Sequence, residues 1–158
     1  MLKKISVGGW ITCAAALLTL IALIVYSSNI ASEGYFQGAA VTNLTLFAIL
    51  AIVLYLCAMV LKLLVKPDGA VGVIVDLIAG AMQIAAPVLV AAAAIALIGA
   101  RVEGLGFIYF SNADVALEVQ TPANLSSASA AITSMVLFGV SMLAGIIAAF
   151  FGLTKRDA

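Results

Sequence analysis

Four long apolar stretches constrain this chain more than any other feature of its sequence. Each exceeds the roughly 20 residues that a helix needs to cross about 30 Å of hydrocarbon. A soluble domain of 158 residues with 66% hydrophobic and 9% charged side chains would leave much of its apolar surface in water. We therefore predict one all-α integral membrane domain over residues 1–158, an up-and-down bundle of four transmembrane helices surrounded by membrane lipid. The predicted spans cover residues 5–28, 43–65, 70–100 and 122–153.

Basic residues are distributed unevenly between the two ends of such a bundle. Four spans place both chain ends and the connection between spans two and three on one side, and most basic residues fall there: Lys3, Lys4, Lys62, Lys66, Lys155 and Arg156. Because cytoplasmic ends are enriched in Lys and Arg, we expect both termini in the cytoplasm, with Arg101 alone on the outer side. Trp10 and Tyr26 fit positions in the interfacial aromatic belts. The short connections and lean composition favour a bacterial plasma membrane.

Two connections have recognisable local patterns. The sequence "KPDG" at residues 66–69 predicts a tight turn that makes spans two and three antiparallel neighbours. On the other side, the β-prone runs Phe107–Phe110 and Val115–Val119 flank "SNAD" and predict a small extracytoplasmic β-hairpin between helices three and four. Thr121 and Pro122 are typical of the N-cap and the first residue of a helix, so the fourth helix begins outside the bilayer.

A lone carboxylate, Asp76, lies in the third span, about 9 Å along the helix from Ala70. An aspartate near the bilayer centre costs roughly 2.5–3.5 kcal/mol and less near the interface, so a partner is expected. If the chain reverses at residues 67–68, Lys62 lies about one helical turn from Asp76. We therefore predict an ion pair between Lys62 and Asp76 that pins spans two and three together.

Gln83 follows Asp76 at helical spacing on the same face of the third span. Asp76, Gln83 and Lys62 form the candidate polar seam, and small or kinking residues share its face: Gly72, Gly80 and Pro87. Two readings of the seam stay open, a structural pin and part of a proton or ion path. We favour the pin, because one carboxylate beside a lysine near an interface is weak evidence for transport.

The fourth span carries two rows of small residues at a spacing of four, which predict close helix contact. This candidate helix-packing face consists of Ser141, Gly145 and Ala149 in one row and Ala144, Ala148 and Gly152 in the other. A bundle of four helices needs one tight face on each helix. The second row therefore favours contact with another copy of the chain or another membrane protein.

The residues that most enzymes and metal sites use are scarce. The chain has no histidine, and its two cysteines, Cys13 and Cys57, are far apart in apolar runs, where cysteine is usually a small hydrophobic residue. We therefore expect no cofactor, no bound metal and no catalysis. A formal net charge of zero gives no electrostatic reason to expect a nucleic-acid partner.

These observations favour a non-catalytic structural or accessory subunit that packs into a homo-oligomer or a larger membrane complex. The main alternative is a small ion, proton or solute transport component that uses the polar seam. A weaker third option is an enzyme acting on a lipid or a hydrophobic quinone, for which no residues stand out.

Overall fold

The computed structural model describes residues 5–65 and 69–155. The chain is all-helical, and four of its helices are long and apolar enough to cross a membrane. The predicted "KPDG" turn lies mostly outside the described residues. The helices are α1 (Val7–Ala31), α2 (Leu44–Leu64), α3 (Gly69–Phe110), α4 (Ala113–Val119) and α5 (Pro122–Ala149).

Side-chain caps mark where several helices begin. The Ser6 hydroxyl accepts a hydrogen bond from the Gly9 amide at 3.1 Å and starts α1. Thr121 accepts one from the Asn124 amide at 3.2 Å, with Pro122 at the first helical position, so the predicted start of the last helix is confirmed. Each cap satisfies an amide that has no partner within the first turn of its helix.

The predicted β-hairpin is wrong. Residues Phe107–Phe110 are the last turn of α3, and residues 113–119 form the short helix α4. No strand occurs in the described residues, whose only ladder contact is an isolated antiparallel bridge between Ile5 and Thr154. Two short runs without a third strand are marginal in water, whereas α3 continues through the first run and the second run forms α4. Asn112, which the prediction placed in a turn, instead caps α4 by accepting from the Val115 amide at 3.0 Å.

The four long helices form a ring in which α1 contacts α2, α2 contacts α3, α3 contacts α5 and α5 contacts α1. Consecutive helices run in opposite directions, as predicted for an up-and-down bundle. The first and last described segments of the chain meet, because the Ser6 amide donates to the Leu153 carbonyl at 3.2 Å. We call this the termini end, where α2 also ends and α3 begins. We call the opposite end of the bundle, which contains residues 32–43 and α4, the loop end.

The closest contact in the bundle is the α1–α5 seam. Buried residues alternate at spacings of four and three along both helices, which is the heptad pattern of a left-handed coiled coil. They are Gly8, Thr12, Ala15, Thr19, Ala22, Tyr26 and Asn29 on α1, and Ser127, Ala131, Ser134, Phe138, Ser141, Gly145 and Ala148 on α5. Most of these side chains are small, so the two backbones approach closely.

Serines spaced seven residues apart on α5 connect this seam by hydrogen bonds. Ser141 donates to the Ala15 carbonyl at 2.8 Å and lies 2.6 Å from the Thr19 hydroxyl. Ser134 donates to the Ala22 carbonyl at 3.0 Å. At the loop end, Ser127 donates to the Asn29 side chain at 2.9 Å, and its hydroxyl accepts from the Phe36 amide at 3.2 Å. The buried hydroxyls therefore stabilise the pairing of the two helices.

Helix α3 is twice as long as α2, with 42 residues against 21. At about 1.5 Å per residue, α2 matches the hydrocarbon thickness of a bilayer and α3 is roughly 30 Å longer. Because the two helices are connected at the termini end, most of this extra length lies at the loop end. The last turns of α3 therefore extend beyond the length that α2 covers.

Candidate functional site

The predicted ion pair between Lys62 and Asp76 is present. The Lys62 ammonium lies 2.6 Å from a carboxylate oxygen of Asp76 and joins the last turn of α2 to the second turn of α3. The Lys62 side chain is 12% exposed and that of Asp76 is 51% exposed. The carboxylate therefore combines one charged partner with a large accessible surface.

Gln83 lies two turns deeper than Asp76 and is buried. Its side-chain amide donates to the Ala148 carbonyl at 2.9 Å and contacts the Thr12 hydroxyl at 3.5 Å. Gln83 thus connects α3 to α5 and, more weakly, to α1. These partners account for a buried amide on a helix that faces the interior of the bundle.

The three residues of the polar seam line one open cleft of about 500 Å³ at the termini end. The rest of its wall comes from α3 and from the end of α5 and the residues after it: Ala79, Gly80, Ala149, Phe150, Phe151, Gly152 and Leu153. A volume of this size is within the range of small-molecule sites in proteins. The seam is therefore the polar wall of a cavity at one end of the bundle.

The polar surface does not continue through the bundle. Beyond Gln83 the interior is filled by side chains that are fully buried, including Tyr55, Val90, Leu97 and Phe138. The Tyr55 hydroxyl, which packs against Gly145, has no hydrogen-bond partner among the described residues. Packed side chains therefore occupy the interior between Gln83 and the loop end.

The candidate helix-packing face divides between buried and half-buried positions. Ser141, Gly145 and Ala148 are buried in the α1–α5 seam, whereas Ala144, Ala149 and Gly152 are half-buried. The buried stripe thus takes residues from both predicted rows, because it follows a spacing of alternating fours and threes. The bundle itself uses both rows, so a surplus row is no longer an argument for oligomerisation.

The cysteines lie apart from the cleft. Cys13 is half-buried and Cys57 is exposed on α2. Within residues 5–65 and 69–155, no three Cys, Asp or Glu side chains come together to hold a metal ion.

Arg101 occupies a position that the sequence did not indicate. Its side chain is only 3% exposed, and its guanidinium lies 4.5 Å above the ring of Phe36 while donating to the Ala39 carbonyl. Gly104, one turn further on, leaves room for the rings of Tyr35 and Phe36. The first loop, residues 32–43, therefore packs against the last turns of α3. Arg101 is a buried clamp between the loop and the helix rather than a surface charge.

Three exposed apolar side chains lie at the end of α3 and on α4, beyond this clamp. We call them the apolar tip: Phe107, Phe110 and Leu117. Phe110 and Leu117 are each 87% exposed, and Phe107 is 45% exposed. In the described chain, no residue of α4 is buried.

No protein-family model matches this chain, and no curated protein or solved structure matches it either.

Proposed function

We propose that this protein is a non-catalytic integral membrane subunit that packs against a second copy of itself or against another membrane protein. The observation that carries this proposal is the apolar tip. A membrane helix can expose apolar side chains to lipid at no cost, but a large apolar surface in water is typical of a binding site.

The length of α3 supports a position of the tip outside the reach of lipid. Phe110 is 34 residues beyond Asp76, which is about 51 Å along the helix axis. The hydrocarbon core is about 30 Å thick, and a bilayer with its headgroup regions is about 40–45 Å thick. With Asp76 at the hydrocarbon boundary of the termini end, Phe110 lies beyond the headgroups of the opposite leaflet even when the helix has an ordinary tilt of about 20°.

The transport alternative has less support. Its candidate residues share a cleft, but the cleft ends at Gln83 and tightly packed side chains follow. An enzyme acting on a lipid also has little support, because the described residues that line the cleft include no Ser, Thr or Cys nucleophile. The lining of the cleft therefore favours binding without a catalysed reaction.

The experiment is mass determination of the full chain after extraction in a mild detergent, with and without cross-linking in the membrane. We expect a defined complex larger than one chain. The double substitution Phe110→Ala with Leu117→Ala should reduce it to a monomer, because both side chains are too exposed to matter for folding. Leu17→Ala with Ile24→Ala, two exposed apolar residues on α1, is the matched control and should leave the mass unchanged. A monomeric wild-type chain in both conditions would exclude the proposal.

We further propose that the termini end faces the cytoplasm of a bacterial plasma membrane. The support is the set of basic residues at that end and the burial of Arg101, which removes the one basic side chain of the loop end from the surface. In a chain with Cys13→Ala and Cys57→Ala, a membrane-impermeant thiol reagent should label Gln37→Cys, an exposed position at the loop end, in intact cells and Lys155→Cys only after lysis. The reverse pattern would invert the orientation.

A further inference from the structure

The polar cleft adjoins a second, apolar groove. A groove of about 260 Å³ lies between α3 and α5, and Ala149 and Phe150 line both spaces. The other residues of the groove are all apolar: Ile84, Pro87, Val88, Ala91 and Ile146. The combined site thus has a charged end near the membrane surface and an apolar end deeper in the bundle wall.

The combined site is long enough to follow an acyl chain from the membrane surface into the hydrocarbon core. From Asp76 to Ala91 the helix rises about 22 Å, so with Asp76 at the hydrocarbon boundary the groove reaches past the middle of a core about 30 Å thick. Small residues keep the space open, because Ala79, Gly80 and Ala149 line the cleft with little side chain. Such a shape fits an amphiphile with a polar head and a hydrocarbon chain.

The charges in the cleft indicate the chemistry of the head. An ionised carboxylate only accepts hydrogen bonds, and half of the Asp76 side chain remains accessible beside its contact with Lys62. A primary ammonium donates such bonds, whereas a quaternary ammonium has no N–H group. Lys62 lines the same cleft and brings a positive charge to the place where the phosphodiester of a lipid would lie.

We propose that the cleft and the groove together bind a phospholipid whose headgroup carries a primary ammonium. The ammonium contacts Asp76, and one acyl chain occupies the groove between α3 and α5. This site is independent of the apolar tip, because it lies at the other end of α3. It also gives Asp76 a role beyond the ion pair with Lys62.

The test is native mass spectrometry of the delipidated full chain after incubation with an equal mixture of ethanolamine, choline and glycerol phospholipids that have identical acyl chains. We expect the wild-type protein to retain the ethanolamine lipid about tenfold over the choline lipid, the effect of one charged hydrogen bond. Asp76→Asn should bring the two to near equality. The control Glu103→Gln removes an exposed carboxylate from the loop end of the same helix and should leave the preference unchanged.

A second variant tests the groove without altering any charge. Ala91→Phe fills the apolar space and should lower retention of the ethanolamine lipid, while the circular dichroism spectrum confirms that the helices remain. Equal retention of all three headgroups by the wild-type protein would overturn the proposal without any variant. An unchanged preference in Asp76→Asn, or unchanged retention in Ala91→Phe, would overturn it too. The complex mass is recorded separately, so failure of the lipid site and failure of the subunit proposal are distinguishable.

Discussion

Replacing Gly145 by alanine tests whether the interior of the bundle is as closely packed as the structure indicates. A methyl group on this residue would collide with the Tyr55 hydroxyl and lie 3.0 Å from both Tyr55 Cζ and Pro87 Cβ. Tyr55 is only 1% exposed, so its ring has no open space into which it can move. Pro87 belongs to the middle of α3 and moves only if the helix moves.

The size of the effect follows from a comparison within the same helix. Adding a methylene-sized group to a packed core costs about 1–3 kcal/mol. Glycine to alanine in a helix gains about 1 kcal/mol from backbone entropy, which partly offsets that cost. Gly139→Ala shares the gain without the collision, because no atom lies within 4 Å of a methyl group there. We therefore expect Gly145→Ala to be less stable than Gly139→Ala by about 1–3 kcal/mol.

The assay is unfolding in mixed micelles by increasing the fraction of a denaturing detergent, followed by far-ultraviolet circular dichroism. A third variant locates the collision at one atom. Tyr55→Phe removes a buried hydroxyl that has no partner in the described chain, so by itself it should leave stability unchanged or raise it. In that background Gly145→Ala should cost less. Equal stability of Gly145→Ala and Gly139→Ala would refute the packing argument.

Three further predictions concern the polar contacts. In a double-mutant cycle, the effects of Thr19→Val and Ser141→Ala on the free energy of unfolding should be coupled by about 0.6 kcal/mol, the average for interhelical hydrogen bonds in membranes. Additive effects would show that this contact contributes nothing to stability. Lys62→Met or Asp76→Asn should each lower the free energy of unfolding in micelles by no more than about 1 kcal/mol, because the pair is partly exposed. The effect should be smaller at high salt, and an effect independent of salt would contradict an ion pair. Arg101→Lys keeps the charge but loses the planar guanidinium, so limited proteolysis should cut the first loop faster than in the wild-type protein. An unchanged cleavage rate would mean that the loop stays ordered without this contact.

The helical architecture was predictable because it depends on hydropathy and length alone. The contact between Lys62 and Asp76 was predictable for a similar reason, since a short connection places the two residues within about one helical turn of each other. The hairpin prediction failed because β-branched and aromatic residues also continue a helix when no partner strand is available. The strand propensity of Phe107–Phe110 does not show whether these residues will form a strand or continue the preceding helix.

The α1–α5 seam was only partly visible in the sequence. A spacing of four selected Ser141, Gly145 and Ala149, whereas the buried stripe continues at Ala148. The serines repeat at seven, and that period has meaning only when an antiparallel partner is known. Tyr26 shows the same limit. It was expected in an aromatic belt but is buried, and its hydroxyl accepts from the Val41 amide at 2.6 Å. The clamp of Arg101 depends on an irregular loop, where no periodicity exists to reveal it.

The way this bundle is held together explains why its candidate functions lie at its two ends. Lipid supplies no hydrophobic force between helices, so close packing and hydrogen bonds must stabilise the fold. The serines of the α1–α5 seam satisfy that need internally, and each described one finds a partner on α1. The outer faces of the helices then require only apolar side chains, which lipid covers. Neither requirement accounts for the exposed apolar tip or for a half-exposed carboxylate beside an apolar groove, and these two features are therefore where a partner and a lipid are expected.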